Sequence, residues 1–118
     1  MAREIDFSIK QGDTSPSLEA RLIRDGQSID LRDATIAFRM VNTATDDVVD
    51  GICSTVDEDS GLVAYIWNDG DTDTAGYYEG EFYVDYDIPE SLSNLTPDET
   101  FPSGSYLTIH VMERVSAP

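Results

Sequence analysis

Apolar and polar side chains alternate with a period of two along most of this chain. Ile5, Phe7 and Ile9 alternate with Asp6, Ser8 and Lys10, which predicts a half-buried strand. Leu18, Ala20 and Leu22 predict a second, which Asp25-Gly26 closes as a tight hairpin turn. Ile29 and Leu31 form a short apolar pair before Arg32-Asp33. Ile36, Phe38 and Met40 repeat the pattern, a weaker strand spans Ile52 to Val56, and Val63, Tyr65 and Trp67 follow the Asp59-Ser60-Gly61 turn. Tyr78, Gly80, Phe82, Val84 and Tyr86 give the clearest strand, with Tyr78, Phe82 and Trp67 as core residues. A long loop over residues 87–105 holds Pro89, Pro97 and Pro102. The last strand runs from Tyr106 to Arg114 with Leu107, Ile109 and Val111 on one face. No segment carries the i, i+3, i+4, i+7 pattern of an amphipathic helix over three turns.

About seven short strands, with a turn signal every 8–14 residues, predict an all-β fold, an immunoglobulin-like antiparallel β-sandwich. The 118 residues show no composition break and no internal repeat, so a single domain over 1–118 is expected. Asp73-Thr74-Ala75-Gly76-Tyr77-Tyr78 resembles the approach to strand F of immunoglobulin-like domains, where a corner tyrosine bonds back to the preceding loop. Motif alignment selects Tyr77. Phase with Phe82 and Val84 selects Tyr78, and we take Tyr78.

Charge narrows the choice of partners. Sixteen Asp and eight Glu against six Arg and one Lys give a formal net charge of −17. Affinity for nucleic acid comes largely from Lys and Arg on phosphate, and an anionic membrane repels such a surface as well. No apolar run reaches the ~20 residues that span a bilayer, and the first residues do not form a signal peptide. The acids are scattered among six Tyr, four Phe and one Trp, which argues for a folded domain over an acidic disordered tail. An Asp-rich, Lys-poor surface over an aromatic core fits a very salty medium, where screening relieves self-repulsion.

Candidate chemistry is sparse. Cys53 has no second cysteine to pair with and lies in an apolar-alternating stretch. Asp69, Asp71 and Asp73 share the opening spacing of a calcium loop, but Thr74 and Gly80 stand where Gly and a bidentate Glu are required. Calcium at these three is the one metal candidate, and an Asp-rich turn is the plainer reading. Glu79 and Glu81 fall on the outer face of their strand, where carboxylates stay solvated. His110 alone makes no metal set, and no nucleophile or phosphate-cradling motif occurs. Asn94-Leu95-Thr96 is a glycosylation sequon. No catalytic residue and no cofactor are expected.

Three blocks carry a family resemblance. They are Phe7-x-Ile9-Lys10-Gln11-Gly12-Asp13-Thr14-Ser15-Pro16; Gly61-x-Val63-x-Tyr65-x-Trp67 with Gly70 to Phe82; and Glu99-Thr100-Phe101-Pro102 with Tyr106-Leu107-x-Ile109-x-Val111. In this order they resemble the N-terminal domain family of the upper baseplate protein of tailed bacteriophages, from about Phe7 to Val111. The segment Ile88 to Asp98 is longer than that family's turn. The resemblance implies a non-enzymatic immunoglobulin-like module in a virion, in the tail, baseplate or head–tail region. It would touch other virion proteins within a symmetric homo-oligomer. With the acidic surface, it suggests a virus of a halophilic archaeon. Ile88, Leu92, Leu95 and Phe101 are the expected exposed contact set, unless Leu95 and Phe101 fold back onto the core. Two alternatives stay open: a capsid decoration or turret protein, and a receptor- or carbohydrate-binding module using Tyr77, Tyr83 and Trp67 on sugar rings.

Overall fold

The structure is a computed structural model that describes residues 5–86, 99–102 and 104–115. Among these residues the strands are β1 (Phe7–Lys10), β2 (Leu18–Arg21), β3 (Ile23–Arg24), β4 (Gln27–Ser28), β5 (Ala34–Asn42), β6 (Val48–Ile52), β7 (Ser54–Asp57), β8 (Leu62–Tyr65), β9 (Gly76–Tyr86), β10 (Glu99–Phe101) and β11 (Leu107–Met112). No helix occurs among the described residues. The fold is all-β and sandwich-like. The larger sheet has the order β1-β11-β9-β5-β6, with β10 also pairing β9; the smaller has the order β2-β8-β7. Pairing is antiparallel throughout except for β1 beside β11.

Alternation explains the long central strands. In β5 the residues Ile36, Phe38, Met40 and Asn42 are buried, and in β9 Tyr78, Gly80, Phe82 and Val84. The two strands pair over nine residues, from Ala34 opposite Tyr86 to Asn42 opposite Tyr78. Phe38 links the two layers. Its ring lies 5.1 Å from Phe82 in its own sheet, 5.0 Å from Tyr65 in β8 and 6.1 Å edge-on from Trp67. Such aromatic pairs contribute ~0.5–1.5 kcal/mol each beyond their buried area. Gly80 leaves room for this cluster, since a Cβ there would stand 2.7 Å from Ile109 Cδ1 and 3.1 Å from the Phe38 ring.

Several boundaries differ from the periodic reading. The stretch Leu18 to Ile23 is divided: after β2, the Leu22 amide donates to the Gly61 carbonyl, and β3 leaves as a separate hairpin with β4. Its turn is Asp25-Gly26 with φ of 53° and 80°, the left-handed pair that a two-residue hairpin of matching twist requires. The expected strand from Ile52 to Val56 is in fact a crossing. β6 belongs to the larger sheet and β7 to the smaller, with buried Cys53 between them. β8 ends at Tyr65, and Trp67 packs beyond it with its indole N–H donating to the Pro16 carbonyl at 3.0 Å. The long loop expected over 87–105 contains β10, which sits beside β9 ahead of β11; Pro102, with no N–H to donate, and Gly104 separate the two pieces.

Candidate docking surfaces

The turn after Trp67 is built by Asp71. Its carboxylate accepts from the Tyr65 hydroxyl at 2.6 Å and from the Asn68 amide at 2.9 Å. Burial and this carboxylate push the Tyr65 hydroxyl above its ordinary pKa. The Asp73 amide donates to the Gly70 carbonyl. Asp69, Asp71 and Asp73 do not converge as ligands: no group of three His, Cys, Asp or Glu side chains among the described residues is placed to hold a metal ion.

Cys53 and His110 lie far apart in the sheet order. Cys53 is buried at the β6–β7 crossing, and burial pushes its thiol up to about 12. His110 lies on β11 at the opposite side of the larger sheet, stacked on Tyr77 with ring centroids 4.2 Å apart and planes 9° from parallel.

The aromatic candidates divide between core and surface. Tyr78, Phe82 and Trp67 are all buried. The Tyr78 hydroxyl donates to the Thr74 carbonyl at 2.6 Å. Trp67, offered above for stacking on sugars, is 3% exposed and unavailable to a ligand. Phe101, expected in an exposed contact set, is 4% exposed: it sits on β10 opposite Phe82 and belongs to the core. Ile88, Leu92, Leu95 and the Asn94 sequon lie outside the described residues. Tyr77 and Tyr83 stay partly exposed on the outer face of β9, where the Tyr83 hydroxyl donates to Glu81 at 2.9 Å.

Two surface features remain. Between β2 and the β10–β11 edge opens an apolar cleft of about 200 Å³, floored by Leu22, Phe82 and Phe101 and rimmed by Ile23, Pro102 and Leu107. Small-molecule pockets generally measure ~300–1,000 Å³, so this cleft is closer in size to one or two side chains than to a cofactor. Above it, Arg24 donates to both oxygens of Glu99 at 2.9 and 2.7 Å, and the Tyr86 hydroxyl donates to the same carboxylate at 2.7 Å. This ties the β3–β4 hairpin to the ends of β9 and β10. The second feature is the outer face of the larger sheet, open among the described residues, carrying Ala37, Arg39 and Val41 from β5, Val48, Asp50 and Ile52 from β6, and Glu79, Glu81 and Tyr83 from β9.

The described strands thus form a six-stranded and a three-stranded sheet with the β3–β4 hairpin beside them. In a comparison with protein families, the family described as the BppU N-terminal domain matches residues 2–96. The chain belongs to the BppU N-terminal domain family. BppU denotes the baseplate upper protein, so this is a structural domain of a phage baseplate, located in the virion. The match takes in β1 to β9 and two of the three blocks recognised in the sequence; Glu99 to Val111, which supplies β10 and β11, lies beyond it. A search of curated proteins returns no match.

Proposed function

We propose that this BppU N-terminal domain is a non-enzymatic, immunoglobulin-like module of a tailed virus particle, one domain over residues 1–118, that docks onto neighbouring virion proteins in a symmetric assembly. The family match over residues 2–96 carries the reading. The immunoglobulin-like part is supported by the Tyr78–Thr74 bond, the kind of corner contact made ahead of strand F in such domains. A sheet face and strand edges left open among the described residues supply surfaces for neighbours. A net charge of −17 favours protein partners over nucleic acid or an anionic membrane. Sixteen Asp against a single Lys support a source virus that assembles in brine, as viruses of halophilic archaea do.

The test is quantitative mass spectrometry of purified intact particles. A fixed stoichiometric copy number relative to tail components is expected, and imaging of the same particles separates baseplate from head–tail joint, capsid decoration or turret. Absence of the chain from intact particles overturns the proposal. A receptor- or carbohydrate-binding role is favoured only by the partly exposed Tyr77–His110 stack and Tyr83. Glycan-array binding lost on Tyr77→Ala would support that second reading.

A further inference from the structure

The free side of β2 borders the apolar cleft. Among the described residues β2 pairs with β8 alone. The Leu22 amide donates to the Gly61 carbonyl at the β8 side, so alternation turns the N–H and C=O of Glu19 and Arg21 the other way. The Glu19 and Arg21 side chains are exposed, whereas Leu18 is buried and Ala20 half-buried. Ala20 and Leu22 form one wall of the cleft, with Phe101, Pro102 and Leu107 as the other. A strand laid along β2 would use both free amides and both free carbonyls. Its alternate side chains would enter about 200 Å³ of apolar space, the size of one or two side chains.

The two outward charges specify which strand fits. Residues directly opposite on neighbouring strands share a face, so an antiparallel partner needs an acid opposite Arg21 and a base opposite Glu19. Neither side chain has an ion-pair partner among the described residues. The partner residues opposite Leu22 and Ala20 point into the cleft and must be apolar. Along the partner this reads apolar, acid, apolar, base. Charges on an edge discourage indiscriminate pairing, and alternating signs select their complement.

We propose that the β2 edge and its cleft take an extended segment of a different virion protein, paired antiparallel and carrying the pattern apolar–Asp/Glu–apolar–Lys/Arg. The chain's own segments do not supply it. Residues 1–4, 87–98 and 116–118 lack the pattern. Ile29-Asp30-Leu31-Arg32 has it, but Ile29 and Leu31 are buried and Arg32 is bonded to Asp30. Leu18-Glu19-Ala20-Arg21 is β2 itself, so a second copy would have to meet it β2 on β2, against the mutual repulsion of two chains of −17. A segment with one acid and one base is neutral and meets no such barrier.

This inference rests on the reading of a docking module and names the chemistry of its partner. Fluorescence polarisation of the labelled peptide Thr-Thr-Leu-Glu-Leu-Lys-Thr-Thr against the full chain tests it. Binding is expected. It should be about tenfold weaker for the charge-exchanged peptide Thr-Thr-Leu-Lys-Leu-Glu-Thr-Thr, and lost for Thr-Thr-Ser-Glu-Ser-Lys-Thr-Thr, which has no apolar side chain for the cleft. Glu19→Arg combined with Arg21→Glu should reverse the preference between the first two peptides, and both positions are exposed, so the core is untouched. No binding up to about 1 mM, or equal affinity for the charge-exchanged pair, overturns the inference. So does sedimentation of the chain as a dimer that Glu19→Arg dissociates, because a second copy would then close the β2 edge. Particles are read separately. The chain present there in stoichiometric copies, without peptide binding, overturns this partner and leaves the structural role standing; peptide binding by a chain absent from particles does the reverse.

Discussion

The Tyr78 hydroxyl donates to the Thr74 carbonyl at 2.6 Å, bending the chain back four residues as it enters the central strand. The ring is buried on the inner face of β9, so the bond fixes the loop's height against the core. Tyr78→Phe keeps the packing and removes the bond. It should lower stability by about 1 kcal/mol, with a fall of a few degrees in melting temperature, measured by thermal circular dichroism in molar salt. Tyr77→Phe, beside it on the outer face, should cost distinctly less. Equal losses in the two variants would show that the Tyr78 hydroxyl has no anchoring role.

Gly80 and Ile109 meet across β9 and β11, where a Cβ on residue 80 would stand 2.7 Å from Ile109 Cδ1. Gly80→Ala therefore overpacks the core, at a cost of about 1–3 kcal/mol. Ile109→Val deletes the obstructing methyl. Paired with Gly80→Ala it should recover part of that loss, so the double variant is more stable than the sum of the singles predicts. Chemical denaturation of the four proteins reads the coupling, and strict additivity would mean that the strain lies against Phe38.

These core contacts were legible because β5 and β9 run nine and eleven residues, long enough for a period of two to declare its inner face. Asp25-Gly26 was legible because two successive left-handed residues demand that chemistry. Phe101 was not. β10 has three residues and is followed by Pro102, so no alternation marks it, and its burial depends on pairing with Phe82. The sheet crossing at Cys53 was hidden for the opposite reason: Val49, Gly51 and Cys53 keep an unbroken inward phase while the backbone changes partners. Periodicity reports which side of a strand is dry. It does not report which strand ends up at an edge, so the place of β6 at the end of the larger sheet was not visible in the sequence.

The Arg24–Glu99–Tyr86 cluster makes part of the stability pH-dependent. Two hydrogen bonds from Arg24 and one from Tyr86 hold the Glu99 carboxyl below its ordinary value, against a smaller upward push from burial. A depressed folded-state pKa stabilises the fold above the unfolded value, ~4.3 for Glu, and that contribution disappears as pH falls through the lower folded value. The side chains are 53% and 27% exposed, so solvent screening limits the effect to under about 1 kcal/mol. Glu99→Gln should be less stable than the unaltered chain at pH 7, and the gap should narrow as pH falls below the unfolded value in urea titrations. A gap unchanged across that range would assign the loss to packing.

Salt should act more broadly than any single pair. The 24 carboxylates against seven basic side chains give the folded chain a self-repulsion that expansion relieves. Screening shortens from ~10 Å at 0.1 M to ~3 Å at 1 M, the scale on which exposed carboxylates such as Glu79 and Asp85, on the outer face of β9, act on their neighbours. Unfolding free energy should therefore rise steadily from dilute buffer to molar NaCl. Replacing Glu79 and Asp85 by Gln and Asn should stabilise the chain at low salt by up to about 0.5 kcal/mol each and flatten the slope. KCl matching NaCl would identify screening as the cause. A stability that stays level or falls with salt would remove the argument for assembly in brine, because the acidic surface would then impose no repulsion that salt relieves.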